Sequence, residues 1–298
     1  MHLCQFTPFS LRLGDRLVCY SRPVVMGIVN ATPDSFYAGS RTRGSDAVKC
    51  RVEAMVAAGA DMLDVGAYSS RPGADDVAPQ EEIDRLGEAM SALRSVAPDI
   101  PVSVDTFRAG VARAAVTSMG ADIINDIAAG DLDPEMFDTV AELQVPYIAM
   151  HMRGTPSTMQ TLTEYPEQGV AATVAAELSP KLRRLALMGV ADVIVDPGFG
   201  FAKTVEQNYE LMDSLGDLGL LVERPLLVGI SRKSMMTRLF GITASEALPA
   251  TSALNMAALL QGASIIRVHD VAEAVQVREM AGRLSREPLT CITETPRN

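Results

Sequence analysis

Eight short apolar runs recur between Pro23 and Val268, and they alternate in how they begin. Runs one, three, five and seven start just after Pro23, Pro101, Pro146 and Pro225. Runs two, four, six and eight follow the small-residue turns Gly59-Ala-Asp61, Gly120-Ala-Asp122, Gly189-Val-Ala-Asp192 and Gly262-Ala-Ser264. Proline at the mouth of a strand costs no ladder bond, and glycine after a helix is the expected left-handed cap. The runs are Val24–Val29, Met62–Val65, Val102–Val104, Ile123–Ile124, Tyr147–Met150, Val193–Val195, Leu226–Ile230 and Ile265–Val268. Apolar on both faces, they suit a parallel sheet covered by helices. Helical patterns lie between them at Ala47–Ala58, Glu81–Val96, Ala109–Met119, Met136–Leu143, Val170–Met188 and Val205–Leu215, with Ala272–Leu284 after the last run. The predicted fold class is therefore α/β, a single (β/α)8 TIM barrel. An open doubly wound sheet is the alternative. It gives no reason for a repeat of two βα units, whereas barrel layers drawn from alternate strands do.

Ahead of the first run, Phe9–Cys19 alternates apolar and polar residues around Gly14-Asp15, which predicts a β-hairpin at the barrel bottom. The expected organisation is a hairpin extension over 1–22, a barrel over 23–285 and a tail over 286–298, with no second domain. The 298 residues, 48% hydrophobic and 21% charged, sustain one large core. A net charge of -11 argues against nucleic acid or an anionic membrane as a partner, so any anionic ligand must be held by locally placed cations. Cys4, Cys19, Cys50 and Cys291 show no paired spacing and read as free thiols in a reducing compartment. With neither a signal-peptide core nor a spanning run, the expected location is cytoplasmic.

Barrel chemistry collects at the C-terminal ends of the strands. Here those ends read Asn30, Asp64, Asp105, Asn125-Asp126, His151, Asp196, Ser231-Arg232-Lys233 and Arg267-Val-His269. Singly, each has a structural reading: Asp64 or Asp126 caps a helix, and His151 is a satisfied wall residue. As a ring, so many buried polar groups are too costly to be structural alone. Asp105, Asn125, Asp196 and Lys233 suit a flat polar heterocycle, since a carboxylate accepts two parallel N–H bonds and Asn offers both donor and acceptor. Asn30, Arg267 and His269 suit a phosphate or pyrophosphate. Arg267 and His269 are two apart on one strand and point the same way, and Asn30 can give an oxygen to Mg²⁺. Two loops, Thr32–Gly39 and Ser69–Gly73, are long enough to close over a ligand. In Asp196-Pro-Gly-Phe-Gly-Phe-Ala-Lys203 an aromatic pair stands beside a carboxylate, as if to sandwich a ring.

These residues resemble one family, the dihydropteroate synthases of folate biosynthesis, over about residues 24 to 284. The matching blocks are Met26-Gly-Ile-Val-Asn-Ala-Thr-Pro-Asp-Ser-Phe36, Asp64-Val-Gly…Ser-Arg-Pro-Gly73, Ser103-Val-Asp-Thr106, Ile124-Asn-Asp-Ile127, Asp196-Pro-Gly-Phe-Gly-Phe201, Gly229-Ile-Ser-Arg-Lys-Ser234 and Arg267-Val-His-Asp270. The resemblance implies an Mg²⁺-dependent, SN1-like condensation of 6-hydroxymethyl-7,8-dihydropterin diphosphate with 4-aminobenzoate. The products would be 7,8-dihydropteroate and pyrophosphate, made by a homodimer that pairs through late helices such as Ser252–Gln261, in a family that is the target of sulfonamides. It further implies that Asp105, Asn125, Asp196, Lys233 and, at the pocket floor, Asp64 hold the pterin. Asn30, Ser70, Arg267 and His269 would hold the diphosphate, with Asn30 on the metal. Ser70, Arg71, Pro72, Phe201, Lys233 and Ser234 would form the aminobenzoate site, and Asp34 and Phe36 the mobile first loop. Asp105, Lys233, Arg267 and His269 are the implied catalytic set.

Three positions depart from the family pattern: Ala31 for Val, Tyr68 where an acid is common, and Ala202 for the second glycine of the aromatic turn. Three rival readings follow. A pterin-dependent methyltransferase on the same barrel would need no diphosphate apparatus, and Arg267 with His269 tells against it. A noncatalytic pterin-binding paralogue is suggested by Tyr68 and Ala202. A Schiff-base aldolase would use Lys233, but Arg232 lies beside it.

Overall fold

The computed structural model describes residues 6–31, 41–68 and 77–284. Its first two strands, β1 (Phe9–Leu13) and β2 (Arg16–Tyr20), form the expected antiparallel hairpin around Gly14, whose φ of 59° is the left-handed conformation that favours glycine. Thereafter strands and helices alternate. The order is β3 (Val24–Asn30), α1 (Arg41–Ala57), β4 (Met62–Gly66), α2 (Pro79–Val96), β5 (Val102–Asp105), α3 (Ala109–Met119), β6 (Ile123–Asp126), α4 (Met136–Leu143) and β7 (Tyr147–Met150). There follow α5 (Val170–Leu187), β8 (Val193–Asp196), α6 (Val205–Asp213), α7 (Leu215–Val222), β9 (Leu227–Val228), α8 (Ser234–Phe240), α9 (Leu248–Leu260), β10 (Ile265–Val268) and α10 (Val271–Leu284).

The eight strands β3 to β10 are parallel, in the order β8-β7-β6-β5-β4-β3-β10-β9. A bridge between Val195 and Leu226, with Val195 N–H donating to Pro225 O at 2.9 Å, joins β8 to β9 and closes the ring. This is the expected barrel, not the open sheet. No helix among the described residues is long and apolar enough to cross a membrane.

Three details differ from the sequence expectation. β9 has two residues rather than the five of Leu226–Ile230, because the chain leaves the ladder for a turn in which Arg232 adopts a φ of 57°. β8 and β9 are each followed by two helices, the first pair breaking at Ser214. Between β7 and α5 the chain runs to Gly169 with only a short 3-10 turn at Met159–Thr161.

Side chains two apart on a strand share a face, and that period sorts the barrel interior into layers. Val24, Met26, Met62, Ile123, Ile148, Ile194, Leu227 and Ile265 form one buried apolar cluster together with Leu11 and Leu13 of the hairpin. The hairpin therefore plugs the N-terminal end of the barrel, as expected. Two residues further along the strands the same face carries Asp64, Asp105, Asn125, Met150, Asp196, Gly229 and Arg267. One pleat converts an apolar floor into a polar mouth. A second, larger cluster fills the space between the sheet and the helices.

Candidate active site

Arg267 stands at the centre of the mouth. Its Nε donates to Asp64 Oδ2 at 2.6 Å and its Nη2 to Asp105 Oδ2 at 3.0 Å. Asn125 Nδ2 donates to the same Asp64 oxygen at 3.2 Å. Among the described residues the other oxygen, Asp64 Oδ1, is buried with no hydrogen-bond partner, and so is Ser103 Oγ one layer below Asp105. Each calls for a further partner, such as ordered water or a ligand. Burial raises the Asp105 carboxyl pKa; Arg267 opposes this while Asp64, Glu82 and Asp126 add to it. On Arg267 burial acts to lower the pKa, but Asp64 and Asp105 outweigh it and the guanidinium stays firmly charged.

Asp196, at the end of β8, accepts from Gly198 N–H at 2.7 Å. Burial raises its pKa against the pull of Lys233, that backbone bond, Arg267 and Lys203. Lys233 caps the N-terminus of α8, donates its Nζ to Phe199 O and lies 4.6 Å from the Phe201 ring centroid. Burial lowers it to about 8, with Asp196 opposing and Arg267 adding to the fall. The flanking Arg232 turns away: it grips Asp270 with Nε at 2.8 Å and Nη2 at 2.7 Å, and bonds Ala244 O at 2.9 Å. The three-residue end Ser231-Arg232-Lys233 thus divides its labour: Lys233 meets the Phe199–Phe201 turn, Arg232 holds Asp270 and Ser231 bonds His269. Gly229 leaves room there, since a Cβ would stand 3.7 Å from Asp196 Oδ2.

His269 shares a hydrogen bond of 3.0 Å between Nδ1 and Ser231 Oγ. Burial, then Arg267 and Arg51, lower it to about 4, so it is an uncharged hydrogen-bonding group at neutral pH in this state. Asn30 ends β3 with its side chain exposed, and Ser234 is exposed in the first turn of α8. Of the residues expected from sequence to hold phosphate, Arg267 touches Asp64 and Asp105 of the heterocycle group, which joins the two sets at that residue. Asp34, Phe36, Ser70, Arg71 and Pro72 lie outside the described residues.

Among the other strand ends, Asp126 has a structural role, not as the helix cap expected but as the tie of the turn that follows β6. It accepts from Tyr147 Oη at 2.6 Å and from the Ala128 and Gly130 N–H groups at 2.8 Å each. Tyr68 packs edge-on to Phe107 at 5.1 Å with Arg108 5.3 Å from its ring centroid, so the departure at this position is absorbed by aromatic and cation–π contact.

Sequence reasoning missed several residues. Met150, Ile127 and Met152 join Phe107 and Phe201 in an apolar cluster along one side of the mouth, the kind of wall a planar ring packs on. Met150 was findable, because it occupies the inward register of β7. Arg51 on α1 reaches the Ile28 carbonyl with Nε at 3.4 Å and acts electrostatically on His269. Lys203 is buried behind the Asp196 turn, and desolvation lowers it to about 7.

Among the described residues no three His, Cys, Asp or Glu side chains are grouped to hold a metal. The exposed Asn30 amide offers one oxygen, the kind of ligand Mg²⁺ takes alongside phosphate oxygens when it is not held in a closed protein cage.

The chain matches the family model described as "Pterin binding enzyme" over residues 26–269. It is 42% identical over 276 residues to the mitochondrial folate synthesis bifunctional protein of Arabidopsis thaliana, covering 88% of this chain and 50% of that one. The chain spans about half the length of several such curated relatives. The dihydropteroate synthase of Synechocystis is 39% identical over 288 residues, covering 95% of this chain and 98% of that one. Among solved structures, Xanthomonas albilineans dihydropteroate synthase with 4-aminobenzoic acid aligns with a TM-score of 0.85 at 35% identity, covering 95% of this chain and 100% of that one.

Proposed function

We propose, from the premise that this chain belongs to the pterin-binding enzyme family and within it to the dihydropteroate synthases, that it joins 4-aminobenzoate to a dihydropterin with loss of pyrophosphate. The substrates are 6-hydroxymethyl-7,8-dihydropterin diphosphate and 4-aminobenzoate, and the product is 7,8-dihydropteroate. One observation carries the reading. Arg267 ties the acids and amide that suit a pterin to the cationic edge that suits its diphosphate, through contacts of 2.6 and 3.0 Å to Asp64 and Asp105.

In this reading Asp105, Asn125 and Asp196 hold the pterin edge, with Asp64 beneath and Lys233 donating to the ring. Phe201, Met150 and Ile127 cover its faces. Arg267 and His269 bind the diphosphate and stabilise the charge that grows on it as the C–O bond breaks. Asn30 would hold Mg²⁺ together with phosphate oxygens; the ion supplies further charge neutralisation to the leaving group. Positive charge left on the exocyclic methylene is favoured by the Asp105 carboxylate, which makes the SN1-like route accessible. The aryl amine attacks that carbon, bound against Phe201, Lys233 and Ser234 and the Ser70-Arg71-Pro72 loop, and then gives up a proton. Asp34 and Phe36 belong to the loop that excludes water. The protein acts in the cytoplasm as a sulfonamide-sensitive homodimer paired through α9. Exposed Leu239 and Phe240 at the end of the preceding helix support a contact on that side.

The test is direct. Pterin diphosphate, 4-aminobenzoate and Mg²⁺ are supplied together and pyrophosphate is read out. Pyrophosphate release that requires the amine supports the reading; tight pterin binding without release overturns it in favour of a noncatalytic binder.

A further inference from the structure

Behind the mouth lies a set of buried ionisable groups that the roles above do not use. After Asp196 the chain turns through left-handed torsions at Gly198 (φ 72°), Gly200 (φ 80°) and Ala202 (φ 48°). A turn of this kind leaves carbonyls without helix or sheet partners, and these need donors. Lys203 supplies them. Its Nζ reaches Gly198 O at 3.1 Å, Phe201 O at 3.2 Å and His151 Nδ1 at 3.1 Å, so each of the three ammonium protons has an acceptor.

His151 sets the direction of this chain. Its Nε2 lies 2.9 Å from Glu177 Oε2. A carboxylate only accepts, so a neutral ring carries its proton on Nε2 and offers Nδ1 to Lys203. Glu177 is held in turn by Arg153 Nε at 3.1 and 3.2 Å to its two oxygens, and Arg153 lies 4.1 Å from the Tyr165 ring centroid. Lys203 and His151 are 4% and 2% exposed, so solvent does not stand in for either. The turn is also locked against the end of β7, where a Cβ on Gly198 would come within 1.9 Å of His151 O. From the opposite side Lys233 bonds Phe199 O and lies over Phe201. Two lysines thus clamp one turn, Lys203 from behind and Lys233 from the mouth.

We propose that Lys203, oriented by His151 and Glu177, is a positioning residue for the aminobenzoate half of the reaction, fixing the 197–202 turn so that Phe201 and Lys233 present a rigid wall to the aryl amine. This rests on the function proposed above. It also explains how Ala202 is accommodated at a torsion that favours glycine, since the carbonyl just before it is tied down. Of the pterin set, Asp105, Asn125 and Asp64 stand on strands away from the turn, and Asp196, Lys233 and Phe201 meet it, so the pterin grip depends less on the clamp than the aryl-amine wall does.

The experiment compares wild type, Lys203→Met, His151→Leu and His151→Gln. Lys203→Met is expected to raise the KM for 4-aminobenzoate about tenfold and that for the pterin diphosphate less than about threefold. Exchange of the Phe201 amide, which donates to Gly198 O at 3.1 Å, should speed up about tenfold in the same variant. His151→Leu should show the same split at about threefold, and His151→Gln, whose amide oxygen accepts in place of Nδ1, should largely restore wild-type values. A folded Lys203→Met with unchanged exchange, or with both KM values raised equally, overturns the proposal. Should Lys203→Met not fold, the two His151 variants read the same split, and equal behaviour of the pair overturns it. A wild type that releases no pyrophosphate would remove the proposed function, while amide exchange would still report on the clamp.

Discussion

The two ends of the barrel carry similar numbers of carboxylates and treat them in opposite ways. At the N-terminal end, Asp61 accepts the Val25 N–H at 2.8 Å and gives its own N–H to Val25 O at 2.9 Å. Asp122 does the same with Val102, at 2.8 Å in each direction. Asp192 takes the Arg12 N–H of the hairpin at 2.6 Å, and Ser264 Oγ takes the Leu226 N–H at 3.2 Å. Arginines complete the set: Arg22 and Arg278 on Asp61, and Arg94 on Asp122. At the C-terminal end Asp64 and Asp105 share one arginine, and Asp64 keeps an oxygen without a partner among the described residues. The first end spends its charges on fixing strand starts. At the second Asp126 is likewise tied to structure, while Asp64 and Asp105 meet only Arg267 and Asn125 among the described side chains. One fold can hold both because a two-residue period separates an apolar interior layer from a polar one.

If that contrast is right, mutations at the N-terminal end should lower stability alone, whereas those at the C-terminal end should lower activity as well. Arg267→Ala is expected to have the largest effect, a loss of about a thousandfold or more in kcat/KM, since it removes a charge aimed at the leaving group. The same change should also lower stability, by about 3 kcal/mol, since it strands the buried Asp64 carboxylate and the half-buried Asp105, read by urea unfolding. Arg94→Ala breaks bonds of 2.6 Å to Ile100 O, 2.6 Å to Gly120 O and 2.9 Å to Asp122. It should cost about 2 kcal/mol in stability while leaving kcat/KM per folded molecule unchanged. An Arg94→Ala protein that folds but has lost activity would break the contrast.

The next effect concerns pH. Burial lowers His151 to about 4, with Lys203 and Arg153 adding to the fall and Glu177 opposing. The unfolded chain protonates this group near 6.5 and the folded chain only near 4, so the unfolded state binds more protons between those values. Stability from this source is therefore complete above pH 6.5 and is lost as pH falls toward 4. The Tm of wild type should fall relative to that of His151→Gln as the pH is lowered through that window; a constant difference would contradict the neutral assignment. The smallest effect is at Ala202, where glycine should relieve about 1 kcal/mol of left-handed strain and return part of it as unfolded-state entropy. A net gain of a few tenths of a kcal/mol in Tm analysis is expected.

The strands were legible because Pro and Gly-Ala-Asp mark their starts and because both faces are apolar. β9 was misjudged in length: Leu226–Ile230 reads as apolar throughout, but the chain turns where Arg232 is pulled toward Asp270 and Ala244. The meaning of the Gly-Ala-Asp turns was hidden for a related reason. Asp61 and Asp122 bond amides 36 and 20 residues away, and no local pattern announces such a partner. The acids, amide and arginine of the mouth could be read from the ends of the strands, since inward register repeats with the pleat. Lys203 could not, because a lysine after Phe201-Ala202 looks like a solvated surface group until the fold wraps His151 and Glu177 around it. The same limit hides Arg51, which belongs to a helix rather than to a strand end.

A crystal structure with the intact pterin diphosphate bound tests the central claim most directly. The account predicts the ring edge within hydrogen-bond distance of Asp105, Asn125 and Asp196, and the tail of that same molecule against Arg267 and His269. A ring bound elsewhere, or a tail directed away from Arg267, would contradict it.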